Sequence, residues 1–443
     1  MDSLNLNFSK RLKGIELLNL YKESGRVKKV LGPIVEGYLP GAVVGGICTI
    51  ATRNAELVEA EIVGFRDRTA LLMPSKPVEG IAMGARIEQS SSIASVKCGE
   101  WMRGKLLNGL GEPMTAFHSN RGTEQIRPVR AMALSPLDRA SINSRLLTGV
   151  RAIDSSIPVG MGQRLGIMAA SGVGKSVLMG MLARQSTSDL NVIALIGERG
   201  REVTEFLERD LGPEGMKKSI VISVTSDESP VLKVRGAYVA TTIAEYFRDK
   251  GLNVLFMMDS VTRFGMALRE IGLAAGEPPT SKGYTPSVFN QMPRLLERAG
   301  AKKNSGSITG FYTVLVEGND FDDPIADNVK SIVDGHIVLS RDLAARNHYP
   351  AIDILQSVSR LTGSLLDDHE SAQNAQIRQV LATYKSAEDL INIGGYRKGN
   401  NAEWDKAIDH YPKVTKFLKQ GVHEVASLPE IHGNLDAIFG AKQ

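Results

Sequence analysis

Cysteine is scarce in this sequence of 443 residues, and long apolar runs are missing from it. The two cysteines, Cys48 and Cys98, form no C-x-x-C pair, so neither a disulfide framework nor a zinc site is indicated. No apolar run approaches the ~20 residues of a membrane-spanning helix, and no signal peptide opens the chain. The seven histidines show no spacing typical of metal ligands. We therefore expect a protein of the reducing cytosol.

An excess of one sign of charge is also lacking. The 53 Lys and Arg residues nearly balance the 49 Asp and Glu residues, which leaves a net charge of +4. This balance gives no reason to expect binding to nucleic acid. The length exceeds what one hydrophobic core usually covers, so two or three domains are expected.

A glycine-rich loop is the most informative feature that the sequence does contain. It reads AASGVGKS over residues 169–176 and lies between an apolar run, residues 165–169, and a helix-forming stretch, residues 177–184. This is the strand–loop–helix setting of a phosphate-binding loop, in which backbone N–H groups and the helix dipole face the phosphates. Ala169 stands where the usual pattern has its first glycine. The loop predicts nucleotide binding.

Each side chain of this loop has an expected role. Lys175 supplies a point charge for the phosphates, and the hydroxyl of Ser176 suits a magnesium ion. We therefore expect ATP and Mg²⁺ as ligands. The residues predicted to bind the nucleotide are Ser171, Gly172, Val173, Gly174, Lys175, Ser176 and Val177.

Two carboxylates follow apolar runs downstream of the loop. Glu198 ends the run that begins at Val192, and Asp259 ends the run that begins at Val254. Open α/β sheets bind ligands at the carboxyl ends of their strands, so both carboxylates are expected beside the phosphate-binding loop. Asp259 is then the second magnesium contact, directly or through water. Glu198 is placed to polarise the water that attacks the γ-phosphate.

The chain divides into zones of different pattern. Residues 1–25 mix apolar and basic residues at helical spacing, which suits a partner-binding helix as well as one packed on its own domain. Residues 26–97 contain four short β-branched runs, 27–31, 42–50, 57–63 and 69–73, which Gly and Pro turns, one of them at Gly45-Gly46, separate or interrupt. This pattern is typical of a small β-barrel. Residues 98–366 alternate strands and helices, which predicts an α/β domain with a RecA-like parallel sheet. Residues 367–443 read as a helical C-terminal domain.

Several longer segments resemble the catalytic core of the rotary ATP synthase head. They are GMGQRLGI from Gly160, GERGREV from Gly197, MDSVTR from Met258 and PAIDILQSVSR from Pro350. Within that superfamily the chain is most similar to the ATPases of flagellar and other type III protein export systems. The narrower likeness rests on GVGKSVL from Gly172, GEPP from Gly276, KGY from Lys282, ERAG from Glu297 and DGHIVLS from Asp334. The loop SGVG from Ser171 and the helical segment VLMGM from Val177 look more like the flagellar branch.

The resemblance implies an ATP-hydrolysing ring that energises protein export and releases substrates from chaperones. Glu198 matches the family's catalytic carboxylate, and Arg360 matches an arginine finger supplied in trans. Lys175 of the loop and Arg199, next to Glu198 in the same motif, are also expected to be catalytic. A chain that carries both halves of a composite site suits a ring of identical subunits, and the family implies six. The implied partners are a stator-like regulator on residues 1–25, a coiled-coil stalk in the ring centre, the export gate and chaperone–substrate complexes. The implied location is the cytoplasmic face of the inner-membrane export apparatus, with peripheral membrane association.

Other functions stay open at this point. A virulence-type export ATPase is the nearest alternative. A rotary synthase subunit is disfavoured, because such rings divide the roles of Glu198 and Arg360 between two chains. An RNA translocase needs stacking aromatics in its front domain, and residues 26–97 offer Tyr38 and Phe65 alone.

The segment AGEPPTSKGY, residues 275–284, is expected to form an exposed loop, because Gly and Pro cannot continue a helix there. In the rotary relatives the matching loop faces the central stalk. The resemblance therefore implies contact with a stalk protein, and a passive connector is the alternative.

Overall fold

The structure, a computed structural model, describes residues 24–91, 93–115, 122–316 and 323–440. These residues form two compact units, one from the described part of residues 24–94 with 274–276, the other from the described part of 95–273 and 277–440. The predicted helical segment 1–25 lies almost entirely outside the described residues. The domain boundaries that the sequence predicts at residues 97 and 366 stay predictions.

The first unit contains a closed six-stranded antiparallel barrel. The sequence predicts a small barrel here, from four of these strands. Its strands are β1 (Ser24–Leu31), β2 (Ile34–Tyr38), β3 (Ile47–Ala51), β4 (Leu57–Arg66), β5 (Thr69–Pro74) and β6 (Arg86–Ser91). They close in the order β1-β2-β5-β4-β3-β6, and β6 pairs back to β1. Val35, Ile50, Ile62 and Leu72 belong to its fully buried core. Closure removes the unpaired edges that an open sheet would expose.

One barrel strand occupies only the second half of its apolar run. The sequence pattern places a turn at Gly45-Gly46 inside the run over residues 42–50, and β3 begins after that turn, at Ile47. A turn occupies the first half of the run, because the N–H of Gly46 donates to the carbonyl oxygen of Val43 at 3.0 Å. Gly45 adopts a φ of +82° there, which glycine tolerates without strain.

The second unit is built on a nine-stranded sheet. Its strands are β8 (Leu106–Leu107), β12 (Arg164–Ala169), β13 (Leu190–Glu198), β14 (Ser219–Thr225), β15 (Asn253–Asp259), β16 (Gly300–Ala301), β17 (Ser307–Leu315), β18 (Gly335–Leu339) and β19 (Ile352–Ser359). Two small ribbons accompany it: β7 (Ser95–Cys98) with β9 (Gln125–Pro128), and β10 (Arg145–Leu146) with β11 (Val159–Gly160).

The strand order of this sheet is β19-β18-β12-β17-β15-β13-β14-β8, and β16 pairs with β17. All pairs are parallel except β19 with β18 and β16 with β17. The central strands β12, β13 and β15 are buried almost throughout, as expected for a parallel sheet covered by helices on both faces.

The helices that accompany the sheet are mostly short. They are α1 (Arg151–Ser156), α2 (Lys175–Gln185), α3 (Gly200–Glu205), α4 (Gly212–Lys217), α5 (Pro230–Asp249), α6 (Val261–Ala275), α7 (Pro286–Leu296), α8 (Pro324–Ile332), α9 (Arg341–Ala345) and α10 (Thr362–Leu365). A π-helical turn, Phe206–Leu211, joins α3 to α4. No described helix is long and apolar enough to cross a membrane.

The C-terminal part is helical, as the sequence predicts, with α11 (Asp368–Asn392), α12 (Ala402–Leu418) and α13 (Leu428–Phe439). Asp367 caps α11 with a reciprocal hydrogen bond to Glu370. Ile377, Val414 and Leu435 from these helices join the same buried core as strands β12 and β19. This packing stabilises the helices on the sheet.

An ion pair is buried beside the sheet. Arg298 is fully buried, and its Nε and Nη2 lie 2.9 and 2.5 Å from the two carboxylate oxygens of Glu245. Its other donors reach the carbonyl oxygen of Val129 at 2.8 Å and the hydroxyl of Thr242 at 2.9 Å. Buried charges persist only when they are paired and hydrogen-bonded in this way.

Candidate active site

The glycine-rich loop connects the end of β12 to the first residue of α2. Gly172 and Gly174 have φ values of +80° and +90°, in the left-handed region that glycine adopts without strain. The loop thus curls in front of the N-terminus of α2, where free N–H groups and the helix dipole favour an anion. This geometry suits a bound phosphate group.

Lys175 lies between the two carboxylates that the sequence places beside the loop. Its Nζ is 2.5 Å from Oδ1 of Asp259 and 3.7 Å from Oε1 of Glu198. Asp259 is the last residue of β15, and Glu198 is the last residue of β13. The structure therefore brings the loop lysine and both carboxylates together at the carboxyl edge of the sheet.

Burial and mutual repulsion change the acidity of these groups. Burial raises the pKa of Glu198 to about 7, and the negative charge of Asp259 adds to this effect while Lys175 opposes it. For Lys175, burial disfavours the charged amine, but the two carboxylates outweigh it and hold the pKa of Lys175 above its usual range. Perturbed groups clustered at a sheet edge are typical of functional sites.

The oxygen atoms present fit a magnesium ion. Oxygen ligands suit this hard cation, which is usually held by one or two protein groups together with substrate phosphates. Oδ1 of Asp259 accepts a hydrogen bond from the hydroxyl of Thr313 at 2.7 Å, which fixes the carboxylate. Oε1 of Glu198 is buried and accepts no hydrogen bond among the described residues. Ser176, in the first turn of α2, brings a hydroxyl from the loop.

The structure adds a carboxylate that the sequence analysis missed. A hydrogen bond with Glu198 lowers the pKa of Glu202, in the first turn of α3, and the same bond helps to raise the pKa of Glu198. Arg199, a predicted catalytic residue, is mostly exposed and pairs with Glu202 at 3.1 Å. The repeated acidic residues of GERGREV are the signal that was available in the sequence.

Arg263 and Tyr349 are further side chains near the loop that sequence reasoning did not single out. The side chain of Arg263 packs against Gly197, the residue before Glu198, so closely that a Cβ on Gly197 would be 2.9 Å from the Cβ of Arg263. The Nε of Arg263 is buried and has no hydrogen-bond partner in the described structure. The ring of Tyr349 lies 3.6 Å from the point where a Cβ on Gly174 would be. An unpaired guanidinium nitrogen suits a phosphate, and a half-exposed aromatic ring suits stacking on a base.

Arg360 stands apart from these residues. β19 runs antiparallel to β18, and its last residue, Ser359, pairs with the first residue of β18, Gly335. Arg360 therefore lies at the amino edge of the parallel strands, whereas the phosphate-binding loop lies at their carboxyl edge. The six residues of β12 separate the two edges by roughly 20 Å at ~3.3 Å per residue. The exposed guanidinium of Arg360 lies 3.5 Å from the carbonyl oxygen of Lys330.

Comparison with protein families matches two parts of the chain. Residues 149–359 match the model of the ATP synthase alpha/beta family, nucleotide-binding domain. Residues 366–437 match the model of the T3SS EscN ATPase C-terminal domain. The two models therefore meet near the end of β19.

Full-length relatives and solved structures agree with these matches. The chain is 49% identical to the flagellum-specific ATP synthase of Bacillus subtilis, over 97% of this chain and 98% of the relative. It is 46% identical to a type 3 secretion system ATPase of Xanthomonas euvesicatoria, over 91% of each chain. The structure of the assembled ATPase EscN from enteropathogenic E. coli superposes with a TM-score of 0.87 at 40% identity, over 94% of this chain and 99% of EscN. EscN in complex with its central stalk EscO gives a TM-score of 0.86, with the same identity and the same shares of each chain.

Proposed function

This chain is an ATPase of the flagellum-specific and type III secretion family, and from that premise we propose that it works as a homohexameric ring that powers flagellar protein export. The observation that carries the proposal is the separation of Arg360 from its own phosphate-binding loop by the width of the sheet. A residue in that position can complete only the site of another subunit. Copies of the chain that meet head to tail can close into such a ring.

We assign the hydrolytic chemistry to the residues at the carboxyl edge of the sheet. Lys175 and the N–H groups of the loop hold the phosphates of ATP. The hydroxyl of Ser176 would hold Mg²⁺, and Asp259 would hold it directly or through a water molecule. Mg²⁺ neutralises phosphate charge when it is bound. Glu198 orients the attacking water and takes up its proton at Oε1, for which a carboxylate of pKa about 7 is well matched.

The exposed loop after α6 is our candidate contact for a central stalk. Pro278, Pro279 and Lys282 are exposed, and the carboxylate of Glu277 accepts a hydrogen bond from the N–H of Ser287 at 3.1 Å. Glu277 thus anchors the loop to the start of α7, and Lys282 places a positive charge on the exposed part of the same loop. A relative, EscN, has been solved with its central stalk, which supports this assignment.

We expect Lys282→Glu to weaken stimulation of the ATPase by the coiled-coil protein that copurifies with the chain. The stimulated rate should fall by about threefold or more, because reversing an interface charge disfavours the encounter. The unstimulated rate should stay within about twofold, and the surface control Lys217→Glu should change neither rate. Equal loss of both rates would place Lys282 in the nucleotide site instead.

Isolation of the full-length chain from its native cell tests the export system. We expect rod, hook and filament proteins with their chaperones, together with components of the export gate and a regulator bound through residues 1–25. Relatives of both branches have similar identities, so recovery of needle-complex proteins would assign the chain to virulence-type secretion. Within this proposal the chain is cytoplasmic and associates peripherally with the inner-membrane apparatus.

A further inference from the structure

Gln163, which directly precedes β12, has a buried side chain whose amide is fully hydrogen-bonded. Its Oε1 accepts from the N–H of Gly160 at 2.9 Å. Its Nε2 donates to the hydroxyl oxygen of Ser359 at 3.0 Å and to the carbonyl oxygen of Asp334 at 3.2 Å. Any other orientation of this buried amide would leave polar groups unpaired. Gln163 therefore ties the chain before β12 to the end of β19 in one arrangement.

The partners of Gln163 also hold the backbone of Arg360. The carbonyl oxygen of Asp334 accepts a second hydrogen bond, from the N–H of Arg360 at 2.9 Å. Ser359, the residue before Arg360, donates its hydroxyl hydrogen to the carbonyl oxygen of Pro158 at 2.8 Å. The backbone of Arg360 is therefore held by its own hydrogen bond to Asp334 and by the hydrogen bond of Ser359 to Pro158. Its guanidinium is exposed.

Arg164 fixes Asp334 in turn. Its Nε and Nη2 lie 3.1 and 3.2 Å from the two carboxylate oxygens of Asp334, and the N–H of Asp334 donates to the carbonyl oxygen of Arg164 at 2.8 Å. Such a bidentate pair restricts orientation as well as distance. Asp334 is thus held in place, and its carbonyl oxygen accepts hydrogen bonds from both the Gln163 amide and the Arg360 N–H.

We propose that Gln163 is a positioning residue for Arg360, acting through Ser359 and Asp334 on the active site of the neighbouring subunit. The inference rests on the proposed composite site. A finger displaced by about 1 Å can cost about 10²-fold in rate. Gln163 lies at the amino end of β12, roughly 20 Å from the loop at its carboxyl end. Its loss should therefore lower the turnover of the neighbour and spare nucleotide binding in its own subunit.

Mixed rings of two inactive chains separate these effects. A Lys175→Ala chain can donate only a finger, and an Arg360→Ala chain can donate only a phosphate-binding loop. Gln163→Ala is added to one chain or the other before equal mixing. On the finger donor it should lower the recovered kcat by about 10- to 100-fold with KM for MgATP unchanged. On the loop donor it should change the recovered rate by less than about twofold.

The outcomes discriminate between the two proposals. Equal losses on both chains, or a loss confined to the loop donor, would overturn the positioning role and leave the composite site intact. If the parent mixture, without any change at Gln163, recovers no activity, the composite site fails and this inference fails with it.

A milder variant, Ser359→Ala, tests the same proposal if Gln163→Ala does not fold. Ser359→Ala removes the hydroxyl that links Gln163 to the finger, and the same asymmetry between the two chains is expected. Ser357→Ala is the matched control, because Ser357 is buried in the same strand but bonds to Val338 and Asp353 instead. The control should affect both mixtures equally. An asymmetry as large as that of Ser359→Ala would contradict the assignment.

Discussion

Glu198→Gln will retain ATP binding and lose turnover by at least about 10²-fold, because the variant keeps the shape of the side chain and removes only its capacity to orient and deprotonate water. The exchange also removes a negative charge 3.7 Å from Nζ of Lys175, so affinity for nucleotide should not fall. Titration with a fluorescent ATP analogue measures binding, and single-turnover hydrolysis measures the chemical step.

Two further variants serve as comparisons for Glu198→Gln. Lys175→Ala should lose both binding and hydrolysis, since it removes the ammonium at the phosphates and leaves Asp259 and Glu198 without their shared cation. Glu205→Gln alters an exposed carboxylate on α3, which pairs with Arg201, and should hydrolyse ATP normally. Hydrolysis by Glu198→Gln at a near-normal rate would refute the assignment of Glu198.

Arg360→Ala is expected to lower kcat by about 10³- to 10⁵-fold, as for other nucleotide hydrolases that lose an arginine finger, with nucleotide binding preserved. The surface control Arg397→Ala should have normal activity. Because the finger belongs to another subunit, specific activity of the unsubstituted protein should also rise with concentration as rings form.

Mixing makes this prediction specific to a composite site. Equal amounts of Lys175→Ala and Arg360→Ala chains, each inactive alone, should recover activity, since about one quarter of randomly formed interfaces pair an intact loop with an intact finger. Activity per subunit that stays constant down to a demonstrated monomer would rule out catalysis in trans.

Local sequence patterns were sufficient to predict the site residues that come directly after a strand. Gly172, Lys175, Glu198 and Asp259 each lie within a residue or a short loop of an apolar run, so the register of the sheet places them together. The barrel was predicted from its turns, but β2 and β6 were not, because both are short and mix polar with apolar residues.

Other parts of the site depend on contacts between residues far apart in the chain. Tyr349 reaches Gly174 only because the segment before β19 returns to the carboxyl edge of the sheet. The position of Arg360 follows from the antiparallel direction of β19, which an apolar run does not reveal. The side-chain amide nitrogen of Gln163 donates to residues 171 and 196 positions away, a pairing that spacing cannot predict.

The buried pair of Arg298 and Glu245 restricts how this protein can evolve. Removing one partner leaves an uncompensated charge and costs about 3–5 kcal/mol, a large share of the ~5–15 kcal/mol by which domains are stable. Replacing both with well-packed apolar residues can be neutral, whereas either single replacement passes through a less stable protein. The two positions are therefore expected to change together rather than one at a time.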